Sequence, residues 1–145
     1  MVRVIFACVH NAGRSQMAAA FFNHIVSPKK AEAISAGTEP GVRVHPEVQA
    51  VMQEVGIDLS DAKPQKLTEE FAMSAELLIT MGCGDKCPYV PGLAMDDWPI
   101  RDPKVLSPDE VRTIRDEIKE RVQSLIANFP TSVVTAGDLA SQDLS

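Results

Sequence analysis

The chain has 145 residues, of which 45% are hydrophobic and 23% are charged, and its formal net charge is −6. This length and composition are typical of one globular domain with a full core, and the negative charge argues against nucleic-acid binding. No stretch approaches the length of a membrane span, and no signal peptide is predicted before the first strand. Three cysteines in such a chain predict a cytoplasmic, reducing location and reactive thiols, not a structural disulfide framework.

The N-terminal segment predicts a buried strand, a loop and a helix. Residues 2–7 are mostly apolar and rich in β-branched side chains, which favours a strand. In residues 15–25 apolar side chains recur four positions apart, which predicts a helix with a wide apolar face. The loop between them, residues 8–14, therefore lies at the N-terminus of a helix, where backbone N–H groups and the positive end of the helix dipole attract anions.

A thiol and a guanidinium stand at the two ends of this loop. Cys8 is the candidate nucleophile, because the same field stabilises a thiolate, and Arg14 can bind two oxygens of a tetrahedral oxyanion at once. Ser15 can donate a hydrogen bond to the sulfur, and Asn11 can brace the loop through its amide. The alternative is a buried structural cysteine. The predicted oxyanion-binding residues are consecutive: Val9, His10, Asn11, Ala12, Gly13, Arg14 and Ser15.

The middle of the chain predicts a strand and two helices. Residues 31–35 form the strand, which ends by Gly37. Pro46 suits the first turn of a helix, and Gly56 is expected to end that helix. A short helix is expected over residues 68–73. The first of these two helices is predicted to bury four apolar side chains: Val48, Val51, Met52 and Val55.

The remaining elements predict a parallel sheet. Residues 76–81 form another buried strand, and a short strand is expected near residues 93–95. The last long helix is predicted to begin with a capping box, in which Ser107 is the N-cap residue and the side chain of Glu110 completes the box. Alternating strands and helices indicate an α/β fold, an open parallel four-stranded sheet with helices on both faces. Ligands bind such sheets at the carboxyl ends of the strands, which is where Cys8 falls.

The domain organisation predicted from this order is simple. Residues 1–130 are expected to form one catalytic domain. Residues 131–145 have few apolar side chains and are expected to be a peripheral or flexible tail.

A second loop carries the other two cysteines. Cys83 and Cys87 follow a predicted strand, and glycines in the same segment leave it flexible, so a mobile loop can bring one thiol to Cys8 and then to its neighbour. Thiol–disulfide exchange needs this in-line access of one sulfur to another, and Lys86 favours a thiolate. Two alternatives are half of a zinc site, for which no second ligand pair at finger spacing exists, and loop cysteines without a role.

An acidic segment supplies candidates for a general acid. Asp96, Asp97 and Asp102 follow a predicted strand, so one carboxyl group can protonate a leaving oxygen at the Cys8 loop. Spacing alone does not choose among the three. Asp102 precedes Pro103, which restricts its backbone to extended conformations.

Together these motifs resemble the arsenate reductases built on the low-molecular-weight protein tyrosine phosphatase fold. The resemblance covers residues 2–128 and includes four motifs: the Cys8–Arg14 loop with Ser15, Ser35-Ala36-Gly37, the cysteine loop from Thr80 to Pro88, and Asp97-Trp98 through Asp102-Pro103. It implies that Cys8 is the nucleophile, Arg14 binds the oxyanion and Asp102 is the general acid. It also implies that Cys83 and Cys87 are the redox cysteines.

The chain departs from parts of the family pattern. Lys104 follows Pro103, so the aromatic wall that phosphotyrosine needs is missing and a tyrosine phosphatase is disfavoured. Some related reductases hold a potassium ion with carboxylates, but Ala19 and Gln65 stand near those positions. We therefore predict no metal ion, and no organic cofactor is needed.

The resemblance and the cysteines together predict a reductase that converts arsenate to arsenite in arsenic detoxification. Cys8 attacks arsenate, Cys83 then attacks Cys8, and Cys87 attacks Cys83. Phosphate and sulfate are the expected competing oxyanions, and thioredoxin or a low-molecular-weight thiol is the expected reductant. Two alternatives remain open: a phosphatase that uses Cys8, Arg14 and Asp102 with water as the second attacker, and a non-catalytic oxyanion sensor.

Overall fold

The computed structural model describes residues 2–27, 29–81, 92–101 and 106–128. The order of strands and helices agrees with the sequence prediction. In chain order the elements are β1 (Val2–Cys8), α1 (Arg14–Ile25), β2 (Ala31–Gly37), α2 (Pro46–Gln53), α3 (Glu69–Met73), β3 (Leu77–Thr80), β4 (Ala94–Asp97) and α4 (Pro108–Ala127).

The four strands form one parallel sheet in the order β2-β1-β3-β4, which confirms the predicted fold class. The register brings the carboxyl ends of the strands to one edge. Cys8 is paired with Gly37, and Thr80 lies between Ala7 and Asp97. Residues that follow these four strands therefore start from a common edge, where ligands of open α/β sheets bind.

Alternate side chains of β1 enter two separate apolar cores, because successive side chains of a strand point to opposite faces. Val4 and Phe6 belong to the larger core, with residues of α1, α2 and α4. Ile5 and Ala7 belong to the smaller one, with Ala72 of α3. Helices therefore cover both faces of the sheet, as predicted. No helix among the described residues is long and apolar enough to cross a membrane.

The end of α2 differs from the prediction. The helix ends at Gln53, and Val55, predicted to be buried, is 37% exposed. Gly56 has a φ of +82°, and the N–H of Ile57 donates to the carbonyl of Met52 at 3.0 Å. The chain therefore turns out of the helix before Val55, and Ile57 fills the apolar position instead. The C-terminal turn, not helical periodicity, decides which side chain is buried.

The other boundaries shift because strand pairing sets them. The second strand extends through Gly37, which is paired with Cys8, and the fourth covers Ala94–Asp97, not residues 93–95. Asp96 and Asp97 have low strand propensity, yet they pair with Ile79 and Thr80. The predicted tail, residues 131–145, lies outside the described residues, so the domain organisation stays a prediction.

An ion-pair network joins α2 to α4. Glu54, just after α2, accepts hydrogen bonds from Arg112 at 2.8 Å and from Arg115 at 2.9 Å. The hydrogen bond from Arg112 is the main reason that the pKa of Glu54 falls from 4.5 to about 2. The largely buried Arg115 also donates to the carbonyl of Val51 at 2.8 Å, so the network closes the C-terminal end of α2.

We expect Glu54→Gln to lower the free energy of unfolding at neutral pH, because it removes the carboxylate that both arginines bind. The folded pKa lies below the unfolded one, so this stabilisation is present above pH 4.5 and is lost as the pH falls towards about 2. Urea unfolding at pH 7 and at pH 3 checks this, since the difference from wild type narrows at pH 3. Glu120→Gln, outside the ion pairs of the described residues, is the control. A difference that is the same at both pH values would contradict the assignment.

Candidate active site

The predicted oxyanion loop lies between β1 and α1, at the carboxyl edge of the sheet. Cys8 is 2% exposed at the end of β1, and Arg14 is 7% exposed at the start of α1. Asn11, at the middle of the loop, is fully buried and has a φ of +53°, a conformation that asparagine tolerates better than most residues. Of the seven predicted oxyanion-binding residues, only Val9 and His10 are not buried.

The carbonyl groups of this loop are turned away from its centre. Backbone N–H groups of residues 38–45 bind four of them at 2.8–3.3 Å. The pairs, donor first, are Thr38 with Cys8, Glu39 with Val9, Gly41 with His10 and His45 with Ala12.

Two further donors complete the set. The side-chain amide of Gln16 donates to the carbonyl of Asn11 at 3.0 Å, and the N–H of Met17 donates to that of Gly13 at 3.0 Å. A trans peptide plane points its N–H opposite to its carbonyl, and no described residue has a cis bond. The N–H groups of residues 9–14 therefore face the centre of the loop, an arrangement typical of anion-binding sites.

The side chain of His10 braces the loop from outside. Its Nδ1 lies 3.0 Å from the carbonyl oxygen of Glu39. A carbonyl oxygen only accepts, so Nδ1 carries the proton in this contact. His10 is thus held to the 38–45 segment twice, by its imidazole and by its carbonyl.

A chain of hydrogen bonds connects Gln65 to the thiol of Cys8. The main-chain N–H of Gln65 donates to Oδ1 of Asn11 at 2.9 Å, which fixes the orientation of that amide because a main-chain N–H only donates. Nδ2 of Asn11 then donates to Oγ of Ser15 at 2.7 Å. Oγ of Ser15 lies 2.9 Å from Sγ of Cys8, and a thiolate at Cys8 could only accept in this contact, with the hydroxyl of Ser15 as the donor.

Gly37 allows the 38–45 segment to approach the loop. A Cβ atom at Gly37 would lie 2.6 Å from the carbonyl oxygen of Val9 and 3.0 Å from Cβ of Asn11. Both neighbours belong to the tightly hydrogen-bonded loop, so neither can move without disturbing it. At Gly41 the nearest atom would lie at 3.7 Å, an ordinary contact distance.

A turn around Pro99 positions Arg14. The N–H of Trp98 donates to the carbonyl of Thr80, and that of Ile100 donates to the carbonyl of Trp98, both at 2.8 Å. The carbonyl of Ile100 then accepts from Nη1 of Arg14 at 3.1 Å. The indole of Trp98 is 5% exposed and packs 5.5 Å from the ring of Phe6. The apolar core thus holds the turn that orients the guanidinium.

Three predicted site residues, Cys83, Cys87 and Asp102, lie outside the described residues. The two alternative carboxyl groups have local partners. Oδ1 of Asp97 accepts from the hydroxyl of Thr80 at 2.5 Å, and Oδ1 of Asp96 accepts from the N–H of Asp97 at 2.9 Å. Both acidic side chains therefore take part in local hydrogen bonds at the end of β4.

Sequence reasoning missed the contributions of Gln16, Trp98 and Ile100. A polar side chain beside the apolar face of the first helix was the available signal for Gln16, which is 5% exposed. The carbonyl of Ile100 had no signal, because its role depends on a turn between distant segments. Within the part of the chain that the structure describes, no group of three or more His, Cys, Asp or Glu side chains could hold a metal ion.

Comparison with known proteins identifies the family. The model of the low molecular weight phosphotyrosine protein phosphatases matches residues 3–135. The chain therefore belongs to this family, and the resemblance inferred from its motifs is confirmed.

Several relatives within the family are arsenate reductases. The glutaredoxin arsenate reductase of Synechocystis is 38% identical over 132 residues, which cover 89% of this chain and 99% of that protein. An arsenate reductase solved in the phosphate binding state is 36% identical, with a TM-score of 0.77. The match covers 90% of this chain and 100% of that protein. The thioredoxin-dependent arsenate reductase Cg_ArsC1' of Corynebacterium glutamicum is 39% identical, with a TM-score of 0.74. The match covers 87% of this chain but 60% of that one.

We expect Gly37→Ala to disrupt the site, because the added methyl group pushes against the carbonyl of Val9. Overpacking of this kind costs about 1–3 kcal/mol of unfolding free energy, and displacement of the loop weakens phosphate binding. Gly41→Ala is the matched control, with ordinary contacts and little expected change. Thermal unfolding and phosphate titration of both variants check this, and equal behaviour of the two would contradict the close-approach explanation.

Proposed function

We propose that this protein is an arsenate reductase that converts arsenate to arsenite in arsenic detoxification. One observation carries the proposal. The buried thiol of Cys8, facing the hydroxyl of Ser15, stands at the edge of a loop whose N–H groups point inward. Such a site pairs a nucleophile with a binding site for a tetrahedral oxyanion. Relatives that share this fold and about a third of the sequence are arsenate reductases.

The oxyanion binds within the Cys8 loop. The N–H groups of Val9 to Arg14 and the first turn of α1 with Ser15 surround its oxygens, and the guanidinium of Arg14 neutralises its charge. Arsenate, phosphate and sulfate are all tetrahedral anions, so phosphate and sulfate compete with arsenate. An arsenate reductase of the same fold has been solved in a phosphate binding state, which supports this assignment.

In the first step the thiolate of Cys8 attacks arsenic, and one oxygen leaves as water after taking a proton from Asp102. Chain connectivity supports this role. Asp102 comes two residues after Ile100, whose carbonyl is bonded to Arg14. Two residues of extended chain span about 7 Å at most, so chain length allows the carboxyl group of Asp102 to reach an anion bound by Arg14.

In the second step the thiolate of Cys83 attacks the sulfur of Cys8. The electron pair of the sulfur–arsenic bond moves onto arsenic, so As(V) becomes As(III), arsenite departs and a Cys8–Cys83 disulfide forms. A similar tether supports this step. Cys83 comes two residues after Met81, whose N–H donates to the carbonyl of Ala7 at 2.8 Å. Disulfides need Cα atoms about 4.4–6.8 Å apart. Because Met81 is anchored beside Ala7, chain length allows Cys83 to come this close to Cys8.

In the third step Cys87 attacks Cys83, which frees Cys8 and leaves a Cys83–Cys87 disulfide. An external thiol then reduces this disulfide, and no metal ion or organic cofactor takes part. Thioredoxin and a low-molecular-weight thiol with glutaredoxin are the two candidate donors, because relatives are named for each system. The need for a steady supply of reductant favours the cytoplasm.

The second candidate function is a phosphatase, which the family's name favours. It would use Cys8, Arg14 and Asp102 in the same first step, with water as the second attacker. The presence of Cys83 and Cys87 in one loop favours the reductase, because hydrolysis needs neither thiol.

Counting thiols tests the relay. With one equivalent of arsenate and no reductant, we expect wild type to lose two of its three thiols for each arsenite formed. Peptide mapping should then find the Cys83–Cys87 disulfide. Cys87→Ser should also form one arsenite but stop at the Cys8–Cys83 disulfide, and Cys83→Ser should form neither product.

Three controls separate the alternatives. Cys8→Ser should abolish both thiol loss and hydrolysis of an aryl phosphate. Hydrolysis without any thiol loss in wild type would contradict the reductase and support the phosphatase. Turnover with thioredoxin and its reductase, compared with turnover on glutathione and glutaredoxin, identifies the donor.

A further inference from the structure

Gln16 makes an unusual set of contacts beneath the Cys8 loop. It lies in the first turn of α1 and is 5% exposed. Its Nε2 lies 3.0 Å from the main-chain oxygen of Asn11 and 3.2 Å from Oδ1 of the same residue. The carbonyl oxygen of Lys63 lies at 3.3 Å. One amide nitrogen therefore faces three oxygens from two segments of the chain.

The orientation of this amide follows from its neighbours. Two of the three oxygens are main-chain carbonyls, which only accept. The third, Oδ1 of Asn11, is fixed as an acceptor by the main-chain N–H of Gln65. The group that faces them is therefore the NH₂ of Gln16, and a carboxylate in its place would meet three oxygens with no proton to share.

The bonds to Asn11 act on two parts of the site. The bond to the main-chain oxygen of Asn11 holds that carbonyl outward, and the same peptide plane directs the N–H of Ala12 inward. The bond to Oδ1 supports the amide whose Nδ2 donates to Ser15, which in turn faces Cys8. The side-chain amide of Gln16 thus bonds to Asn11, which reaches Cys8 through Ser15.

We propose that Gln16 is a positioning residue that sets both the reactivity of the Cys8 thiol and the affinity of the loop for an oxyanion, acting through Asn11. This inference rests on the proposed function in that it takes Cys8 as the nucleophile. The polar character of Gln16 is not needed for packing, since an apolar side chain of similar length would fill the same space under the loop. Its hydrogen bonds, not its volume, carry the effect.

The test uses a Cys83→Ser/Cys87→Ser background, in which Cys8 is the remaining thiol of the chain. The rate of alkylation by iodoacetamide as a function of pH gives the pKa of Cys8. The protection of Cys8 by inorganic phosphate gives the affinity of the loop for phosphate. We expect Gln16→Met to lower the fraction of thiolate and the phosphate affinity by about tenfold each, the effect of one or two lost hydrogen bonds. Gln16→Glu, which keeps the size of the side chain, should lower phosphate affinity further.

Asn23→Leu is the matched control. Asn23, also in α1, donates to a main-chain carbonyl, that of Ala33 at 2.9 Å, which belongs neither to the Cys8 loop nor to the 38–45 segment. Its replacement should leave the alkylation profile and the phosphate affinity unchanged. Thermal unfolding of all variants is measured in parallel, so that alkylation and phosphate binding are compared well below the transition of each one.

The outcomes separate a positioning role from a structural one. If Gln16→Met and Gln16→Glu lower the unfolding temperature but keep the wild-type alkylation profile and phosphate affinity, Gln16 is only structural and the inference is overturned. Neither readout involves arsenate, reduction or the second cysteine loop. A protein that fails to reduce arsenate therefore contradicts the proposed function alone, and an unchanged Gln16 variant contradicts this inference alone.

Discussion

The backbone hydrogen bonds between residues 38–45 and the Cys8 loop are the interaction on which the site depends. Six consecutive carbonyl groups must point outward for six N–H groups to point inward, and the 38–45 segment holds four of them. That segment runs along the loop because β2 is parallel to β1 and ends opposite Cys8, at Gly37. Without a side chain there, the two backbones approach closely. The inward direction of the N–H groups therefore depends on sheet register as much as on loop sequence.

The same edge of the sheet anchors the other two loops. The chain leaves β3 at Met81, bonded to Ala7, and turns after β4 at Trp98, bonded to Thr80. Both bonds lie within a few residues of the predicted redox cysteines and the predicted acid. Because four parallel strands end together, segments that are distant in the sequence start from one edge of the sheet. In the proposed function, the backbone of the Cys8 loop binds the anion, and the loop with Cys83 and Cys87 distinguishes reduction from hydrolysis.

Buried polar groups give this region its rigidity. Asn11, Ser15 and Gln16 are all nearly inaccessible to solvent, and each satisfies the hydrogen-bonding groups of another. An unsatisfied polar group would be costly at this depth, so the network favours one arrangement of the loop. Main-chain groups that cannot reverse fix the orientation of the amides of Asn11 and Gln16, and the network ends at the contact between Ser15 and the sulfur. The reactivity proposed for Cys8 thus depends on ordinary hydrogen bonds between buried polar groups.

The sequence by itself determined the strand, loop and helix around Cys8, because those signals are contiguous: an apolar run, a glycine and asparagine loop, and helical periodicity. It also determined the capping box of α4, which spans four residues. Tertiary structure alone decided that Val55 is exposed, that Gln16 supports Asn11 and that the carbonyl of Ile100 meets Arg14. Each of these depends on where a turn brings segments together that are far apart in the chain. Local sequence patterns reflect the preferences of neighbouring residues. Arg14 and Ile100 are 86 positions apart, so their hydrogen bond depends on the packing of the whole sheet.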